Sequence, residues 1–281
     1  MNRISRLVIM LVAVALTACN EAPTSNSDTL NAPEGPSFIT FGSPDGNAHP
    51  HVGTLLFAQN GVKYYSCTGT LLSPTVMLTA GHCTEGEGKV NDETWVRFDE
   101  DPIGDRGTGP LQNWLKTKWI KASRVIPHPK FNDFAEFPNT YDVGLVILSQ
   151  PVQLGTYGEL PEHGLLESLS GQDKPFTAVG YGLQGAITPF YSDLWARYAG
   201  TTRLIEVKST RSGENQSATF TNNPGLGGGT CNGDSGGPIF VGTSNIIGAV
   251  TSFGFTPCIG VDYNFRIDTK TALDFIRANM N

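Results

Sequence analysis

Apolar residues along this chain fall in short runs that are separated by segments rich in glycine, proline and polar residues. One run, Val143–Leu148, has the length typical of a strand buried in a sheet. Near the C-terminus, apolar residues recur at intervals of three and four and so predict a helix over Thr269–Met280. These positions are Ala272, Phe275, Ile276 and Met280. The pattern therefore predicts many short strands and one C-terminal helix.

The first residues carry the pattern of an export signal. Arg3 and Arg6 precede an apolar run, Leu7–Leu16. This run has the length of the apolar segment of a secretory signal and is too short to span a bilayer. We therefore predict a signal peptide over residues 1–18. The segment LTAC, which ends at Cys19, resembles the bacterial lipobox, in which the cysteine becomes a lipidated N-terminus. An ordinary signal peptide, with Cys19 left unmodified, is the alternative.

The next segment, residues 19–37, is composed mainly of Ser, Thr, Asn, Pro and Glu. Such a segment has little apolar surface to bury, so burial cannot offset the entropy lost on ordering. We predict a disordered tether here. Residues 38–281 then form one globular domain, with no internal repeat or second linker.

The composition of the 281 residues excludes several classes of protein. Charged residues make up 16%, whereas there are 33 glycines and 18 prolines, which favours strands joined by turns over long surface helices. The formal net charge is −7, and no cluster of Lys and Arg is present that could neutralise phosphates. We therefore expect no nucleic-acid partner.

Five cysteines are present: Cys19, Cys67, Cys83, Cys231 and Cys258. Export permits disulfides, and if Cys19 is lipidated the other four can pair in three ways. Pairing Cys67 with Cys83 and Cys231 with Cys258 closes the short loops, but the sequence does not choose among the three. A thiolate metal site is the rival interpretation, and it lacks the Cys-x-x-Cys spacing.

Three segments contain residues suited to nucleophilic catalysis: Leu78–Cys83 (LTAGHC), Tyr141–Leu148 (YDVGLVIL) and Gly233–Pro238 (GDSGGP). Together they resemble the chymotrypsin-like (trypsin-like) serine peptidase family, because His, Asp and Ser follow one another in that order at suitable spacings. The resemblance extends over nearly all of residues 39–281. It implies an all-β fold of two packed six-stranded antiparallel barrels, with the site between them.

The resemblance also implies a role for each residue. A serine hydroxyl is a poor nucleophile until a neighbouring base removes its proton. Ser235 would be the nucleophile, His82 the base, and Asp142 the group that orients His82. The backbone N–H groups of Gly233 and Ser235 would form the oxyanion hole. Glycine lets this loop adopt positive φ and approach the substrate closely.

The interval between His82 and Asp142 is 60 residues, which is long for the family and implies an insertion between Thr84 and Lys121. The inserted stretch contains many acidic residues, and some relatives bind calcium on a loop nearby. Calcium needs oxygen ligands that converge on one point, and this spacing does not show convergence. We therefore expect a solvated acidic surface, with no metal and no cofactor.

Alignment outward from Ser235 gives the specificity pocket, with Gly229 at its base where trypsins carry an aspartate. The substrate-binding candidates are Gly229, Thr230, Ser252, Phe253, Gly254 and Gly260. An open pocket without a buried charge would favour a large apolar side chain before the scissile bond. We therefore predict cleavage after Phe, Tyr, Leu or Met, and not after Lys or Arg.

Activation in most family members frees an N-terminal amine, which pairs with the aspartate before the nucleophile, here Asp234. The usual Ile-Val-Gly-Gly start is absent, and the nearest match begins at Ile39, after Phe38. Cleavage there would also sever the domain from Cys19. One hypothesis is therefore that proteolysis near Phe38 couples activation to shedding; the other is that Asp234 finds a different partner and the anchored form is active.

These features predict an exported serine endopeptidase that acts on polypeptides as a monomer and touches the membrane only through a lipid on Cys19. The predicted location is the outer membrane or cell surface, or the medium after shedding. Two alternatives are a catalytically silent surface binding module and an esterase on the same scaffold.

Overall fold

The computed structural model describes residues 39–59, 63–86, 89–132, 140–186, 194–207, 216–223, 225 and 227–280. The predicted signal peptide, the tether and Cys19 lie outside these residues. Among the described helices, none has both the length and the apolar character needed to cross a membrane.

Six antiparallel strands form a closed first barrel, in the order β2-β3-β4-β9-β8-β7. The apolar run predicted to be a buried strand provides β9, and its Leu145, Val146 and Leu148 are buried. The barrel strands are β2 (Val52–Gln59), β3 (Lys63–Leu71), β4 (Val76–Thr79), β7 (Glu93–Arg97), β8 (Ile120–Pro127) and β9 (Gly144–Leu148). Between β4 and β7 in the sequence, β5 (Glu85–Gly86) and β6 (Lys89–Val90) form a separate two-stranded sheet.

A second six-stranded antiparallel barrel follows the order β11-β10-β13-β14-β15-β12, and pairing of β11 with β12 closes it. The short strand β1 (Ser43–Pro44) pairs with Tyr198 and Ala199 at the start of β11, ahead of the residues of β11 that pair with β12. The barrel strands are β10 (Pro175–Gly180), β11 (Tyr198–Glu206), β12 (Ser217–Asn222), β13 (Pro238–Val241), β14 (Ile247–Gly254) and β15 (Gly260–Arg266). The two barrels implied by the resemblance are thus confirmed.

One hydrophobic core joins the barrels. It contains Leu78 and Leu145 from the first barrel together with Val179, Phe240 and Val250 from the second, all of them buried. Burial of such side chains contributes roughly 1.5–3 kcal/mol each. The cleft between the barrels therefore has rigid walls on both sides.

The predicted C-terminal helix is present as α3 (Lys270–Ala278), which packs on this shared core. Thr269 is its N-cap, and the Thr269 side chain accepts a hydrogen bond from the Ala272 backbone N–H. Three of the four apolar residues that predicted the helix, Ala272, Phe275 and Ile276, are buried in it, whereas Met280 lies beyond its end and is partly buried.

Two further helices were not predicted, α1 (Leu111–Lys118) and α2 (Leu165–Leu169). Helix α1 lies in the insertion, where its Trp114 and Leu115 are buried in a separate small core with Trp95 and Trp119. Both helices are shorter than the window over which helical periodicity can be recognised.

Arg197 ties the N-terminal segment to the barrels. Its side chain is fully buried and pairs with Asp45, Nε to Oδ2 at 2.8 Å. The guanidinium also donates to the carbonyl oxygens of Val52 and Phe98 and to the hydroxyl of Tyr181. A buried arginine is tolerated here because its donors meet an anion and several backbone oxygens.

Candidate active site

His82 and Asp142 are joined by three hydrogen-bond contacts. A single 3₁₀ turn, Gly81–Cys83, follows β4 and carries His82. The His82 Nδ1 atom lies 2.9 Å from Oδ2 and 3.1 Å from Oδ1 of Asp142. The backbone N–H of His82 donates to Oδ1 as well, at 2.9 Å. The carboxylate therefore fixes both the position of the turn and the orientation of the ring.

Asp142 remains charged in spite of complete burial. Burial by itself would raise the pKa of Asp142, but the charge of His82 and hydrogen bonds from His82 and Ser252 hold that pKa below its ordinary value. The Ser252 hydroxyl donates to Asp142 Oδ2 at 2.5 Å. The resemblance assigned Ser252 to substrate binding, and its hydrogen bond to Asp142 was missed.

The loop that carries Ser235 is held by backbone hydrogen bonds to both barrels. The N–H of Thr68, in β3, donates to the Ser235 carbonyl oxygen at 2.8 Å. The N–H of Gly236 donates to the carbonyl oxygen of Thr251, in β14, at 2.7 Å. Gly233 has φ of 99° and Gly236 has φ of 78°, so both need the conformational freedom of glycine. Ser235 is thereby fixed at the junction of the barrels.

A disulfide brings His82 and Ser235 close together. Cys67 pairs with Cys83 and Cys231 with Cys258. A ring nitrogen of His82 lies within 4.8 Å of both sulfur atoms of the first disulfide, and Cys83 Sγ lies 3.5 Å from the Ser235 carbonyl oxygen. Because these sulfurs are bonded to each other, they provide no thiolate ligands for a metal.

Asp234 is also fully buried, but its partners are backbone amides. The N–H of Gly182 donates to Oδ1 at 2.8 Å and the N–H of Cys231 donates to Oδ2 at 2.9 Å. Burial raises the pKa of Asp234 to about 7, and the charge of Asp262 adds to this rise. Ile39, the candidate N-terminus, is itself 1% exposed and packs in the core of the second barrel.

A cavity of about 200 Å³ opens beside Ser235. Four predicted substrate-binding residues line it: Thr230, Ser252, Phe253 and Gly254. Gly229 does not line the cavity. Its N–H donates to the Thr40 carbonyl oxygen, and it packs against Asn222. Gly260 is exposed at the start of β15 and does not line this cavity either.

The expectation of a pocket without a buried charge was wrong. Asp262, which is 3% exposed, lines the cavity. Its Oδ2 accepts from the backbone N–H and the hydroxyl of Thr230, both at 2.7 Å, and its Oδ1 accepts from Asn222 Nδ2 at 2.8 Å. Burial raises the pKa of Asp262 to about 6, although these hydrogen bonds oppose the rise.

The inserted acidic residues bind protein groups. Asp99 and Asp105 both pair with Arg97, and Glu93 accepts from the Tyr64 hydroxyl at 2.9 Å. Asp101 accepts from the backbone N–H groups of residues 103 and 104. In the described part of the chain, the single group of His, Cys, Asp and Glu close enough to hold a metal is the disulfide pair with His82.

Comparison with known proteins gives a consistent answer. A family model described as Trypsin matches residues 40–276. Chymotrypsin-like elastase family member 1 of Macaca fascicularis is 26% identical over 236 residues, which cover 80% of this chain and 82% of that protein. Kallikrein 1-related peptidase b3 of Mus musculus is 28% identical over 229 residues, covering 75% and 77%.

Solved structures show the same fold. The structure of HL collagenase superposes with a TM-score of 0.62 at 19% identity and covers 85% of this chain and 96% of that chain. A structure of GrC gives the same TM-score at 18% identity. With the family model spanning both barrels and both halves of the site, the chain belongs to the trypsin family of serine proteases.

Proposed function

We propose that the protein is a serine endopeptidase. Ser235 attacks the carbonyl carbon of the scissile bond, and His82 accepts the Ser235 proton and later donates it to the leaving amine. Asp142 keeps the ring in the required tautomer and stabilises the imidazolium. The backbone N–H groups of Gly233 and Ser235 stabilise the oxyanion, and water then hydrolyses the acyl-enzyme.

The observation that carries this proposal is the setting of Asp142. A buried carboxylate that contacts Nδ1 of a histidine and accepts from its backbone N–H is the arrangement that a base needs. The other ring nitrogen, Nε2, is the one that would accept the proton of the serine hydroxyl. The Ser235 loop and the histidine turn both contact the Cys67–Cys83 disulfide, which supports the assignment of Ser235 as nucleophile and His82 as base.

For the residue before the scissile bond, we retain a large apolar side chain as the proposed preference. Phe253 and the Cys231–Cys258 disulfide provide apolar walls. Asp262 also bears on this preference, because its carboxylate lines the cavity. Three of its roughly four acceptor sites are already used by Thr230 and Asn222, so it is poorly placed to bind a second strong donor.

We also propose that the enzyme is exported and acts as a monomer, anchored by a lipid on Cys19. Two disulfides favour an oxidising compartment. Cleavage near Phe38 would release the domain and free an amine for Asp234, whose hydrogen-bond partners among the described residues are two backbone amides and whose pKa is raised by burial.

Labelling with a fluorophosphonate tests the proposal, because the reaction requires an assembled nucleophile, base and oxyanion hole. We expect the wild-type protein to be labelled, and Ser235→Ala not to be. Labelling of a chain beginning at Ile39, but not of the longer protein, would establish a zymogen. Absence of labelling in both would favour a binding module, and turnover of esters without turnover of peptides would favour an esterase.

A further inference from the structure

Two neighbouring cavities lie outside the specificity pocket. The first, of about 470 Å³, includes Gly233 of the oxyanion loop and Gly182 among its lining residues. The second, of about 440 Å³, lies against helix α1, where Ile103, Leu111 and Trp114 line it. We call this second cavity the tryptophan groove.

The cavities are adjacent. Three residues, Tyr64, Ser66 and Trp195, line both of them. A chain that leaves the oxyanion hole through the first cavity therefore comes next to the tryptophan groove. The insertion, which the catalytic residues do not require, provides the far wall of this path.

The path lies on the leaving-group side of Ser235. The strand segment Ser252–Gly254 lines the specificity pocket, which takes the residue before the scissile bond, and it lines neither of the other two cavities. Asn232 lines both the specificity pocket and the first cavity, and so marks the boundary between them. The residues after the scissile bond are the part of a substrate that reaches the other side.

The tryptophan groove is apolar and preformed. The Trp114 indole N–H donates to Asp105 Oδ1 at 2.9 Å, and the guanidinium of Arg106 lies 5.4 Å from the ring centroid. The Tyr64 hydroxyl donates to Glu93 of β7, which is separated from β3 by β2. Because these contacts fix the aromatic walls in advance, an apolar side chain that enters loses little free energy to reorganisation of the protein.

We propose that the tryptophan groove is a substrate subsite that binds a large aliphatic or aromatic side chain on the leaving-group half of a polypeptide. The proposal rests on the proposed endopeptidase activity. A cavity of 470 Å³ is roughly 10 Å across, which an extended chain crosses in about three residues. The side chain bound is therefore that of the third or fourth residue after the scissile bond.

The test uses the full chain and internally quenched peptides that are identical before the scissile bond. At the third and fourth positions after it, Trp and Leu are compared with Gly and Asp. We expect Trp or Leu to raise kcat/KM about tenfold over Gly, which is about half of the effect that full burial of such a side chain provides. A short ester substrate without leaving-group residues serves as the reference.

Leu111→Asp places a charge in the groove. It should abolish the increase in kcat/KM that Trp or Leu gives over Gly, and it should leave turnover of the short ester unchanged. Ile103→Asn is the second variant, in case the change at the start of α1 disturbs folding. Ile205→Asp, at an aliphatic residue that is 48% exposed and lines neither cavity, should behave as wild type.

Two other results are distinguishable. Equal kcat/KM across the peptide series, in a protein that cleaves the ester and labels with fluorophosphonate, would overturn the groove proposal alone. A protein that neither labels nor cleaves any substrate, both as the full chain and as a chain beginning at Ile39, would overturn the endopeptidase proposal and the groove proposal together.

Discussion

Asp142 and Asp234 are both fully buried, yet their surroundings shift their pKa values in opposite directions. Asp142 faces the His82 ring, a group that can carry a positive charge, and accepts from the Ser252 hydroxyl. Asp234 accepts from two backbone amides, which are dipoles without net charge. Two amide hydrogen bonds do not compensate for loss of water around a carboxylate, whereas a cationic partner does.

Asp142 contacts a side chain that can carry a positive charge, whereas Asp234 accepts from two backbone amides. Asp142 is ionised and correctly placed in the uncleaved chain. Asp234, with a pKa near 7, would gain most from a new cation, and a released N-terminal amine is one. The raised pKa is therefore what the proposed activation near Phe38 requires.

Asp142→Asn should give the largest effect. An asparagine keeps the shape of the side chain but favours the wrong tautomer of His82 and cannot stabilise the imidazolium, so kcat should fall by about 10⁴. The measurement is kcat on a peptide substrate, with circular dichroism to establish that the fold is retained. A loss smaller than tenfold would contradict the role assigned to Asp142.

The pH dependence of stability should separate the two carboxylates by sign. Because folding raises the pKa of Asp234 to about 7, this residue destabilises the fold progressively as pH rises from about 4 to 7. Asp142, whose pKa is lowered, contributes stability above its unfolded pKa near 4 and loses it as pH falls. Relative to wild type, the Tm of Asp234→Asn should therefore rise by several degrees between pH 3 and pH 8, while that of Asp142→Asn should fall. Parallel curves for the two variants would show that their surroundings do not differ in this way.

The smallest expected effect is at Asp262, whose pKa of about 6 lies within the working range of the enzyme. Three hydrogen bonds already occupy Asp262, so above pH 6 its ionised carboxylate should favour a side chain with a donor at its tip only weakly, through its charge. The ratio of kcat/KM for substrates with Lys and Phe before the scissile bond should therefore rise about fivefold from pH 5 to pH 8, an effect of about 1 kcal/mol. In Asp262→Asn the ratio should stay constant. A cleavage profile dominated by Lys or Arg at both pH values would overturn the apolar preference itself.

The sequence predicted the elements whose signals are local. The segments around His82, Asp142 and Ser235 carry their chemistry within a few residues, and the spacing of Ala272, Phe275 and Ile276 marked the C-terminal helix. The structure places these segments together at one cleft between two barrels.

The pocket residues depended on register and were predicted less well. Asp262 was missed because the short segment between Cys258 and β15 hides which residue of that strand faces the cavity. Gly260 was assigned to the pocket by the resemblance, two residues before Asp262, which lines the cavity. Gly229 was chosen by alignment, but Thr40 and Asn222 cover it. A search for acids on the buried face of the last strand could have found Asp262.

The fold of the insertion could not be predicted from the sequence for a different reason. Its length was evident, but its core combines Trp95, Trp114 and Trp119 from separate segments, with Trp195 packed against them from a distant part of the chain. Such contacts have no sequence period. Helix α1 is stabilised by this packing more than by its own eight residues.

Arg197 gives the molecule a mechanical property. A pull on the chain ahead of Ile39 acts first on Ile39 and Thr40, which are held in the second barrel, and then on β1 and the buried Asp45–Arg197 ion pair. The Arg197 guanidinium donates to the Val52 carbonyl oxygen in the first barrel and to the Tyr181 hydroxyl, after β10, in the second. A force on this segment is therefore shared by the two barrels and does not act to separate them.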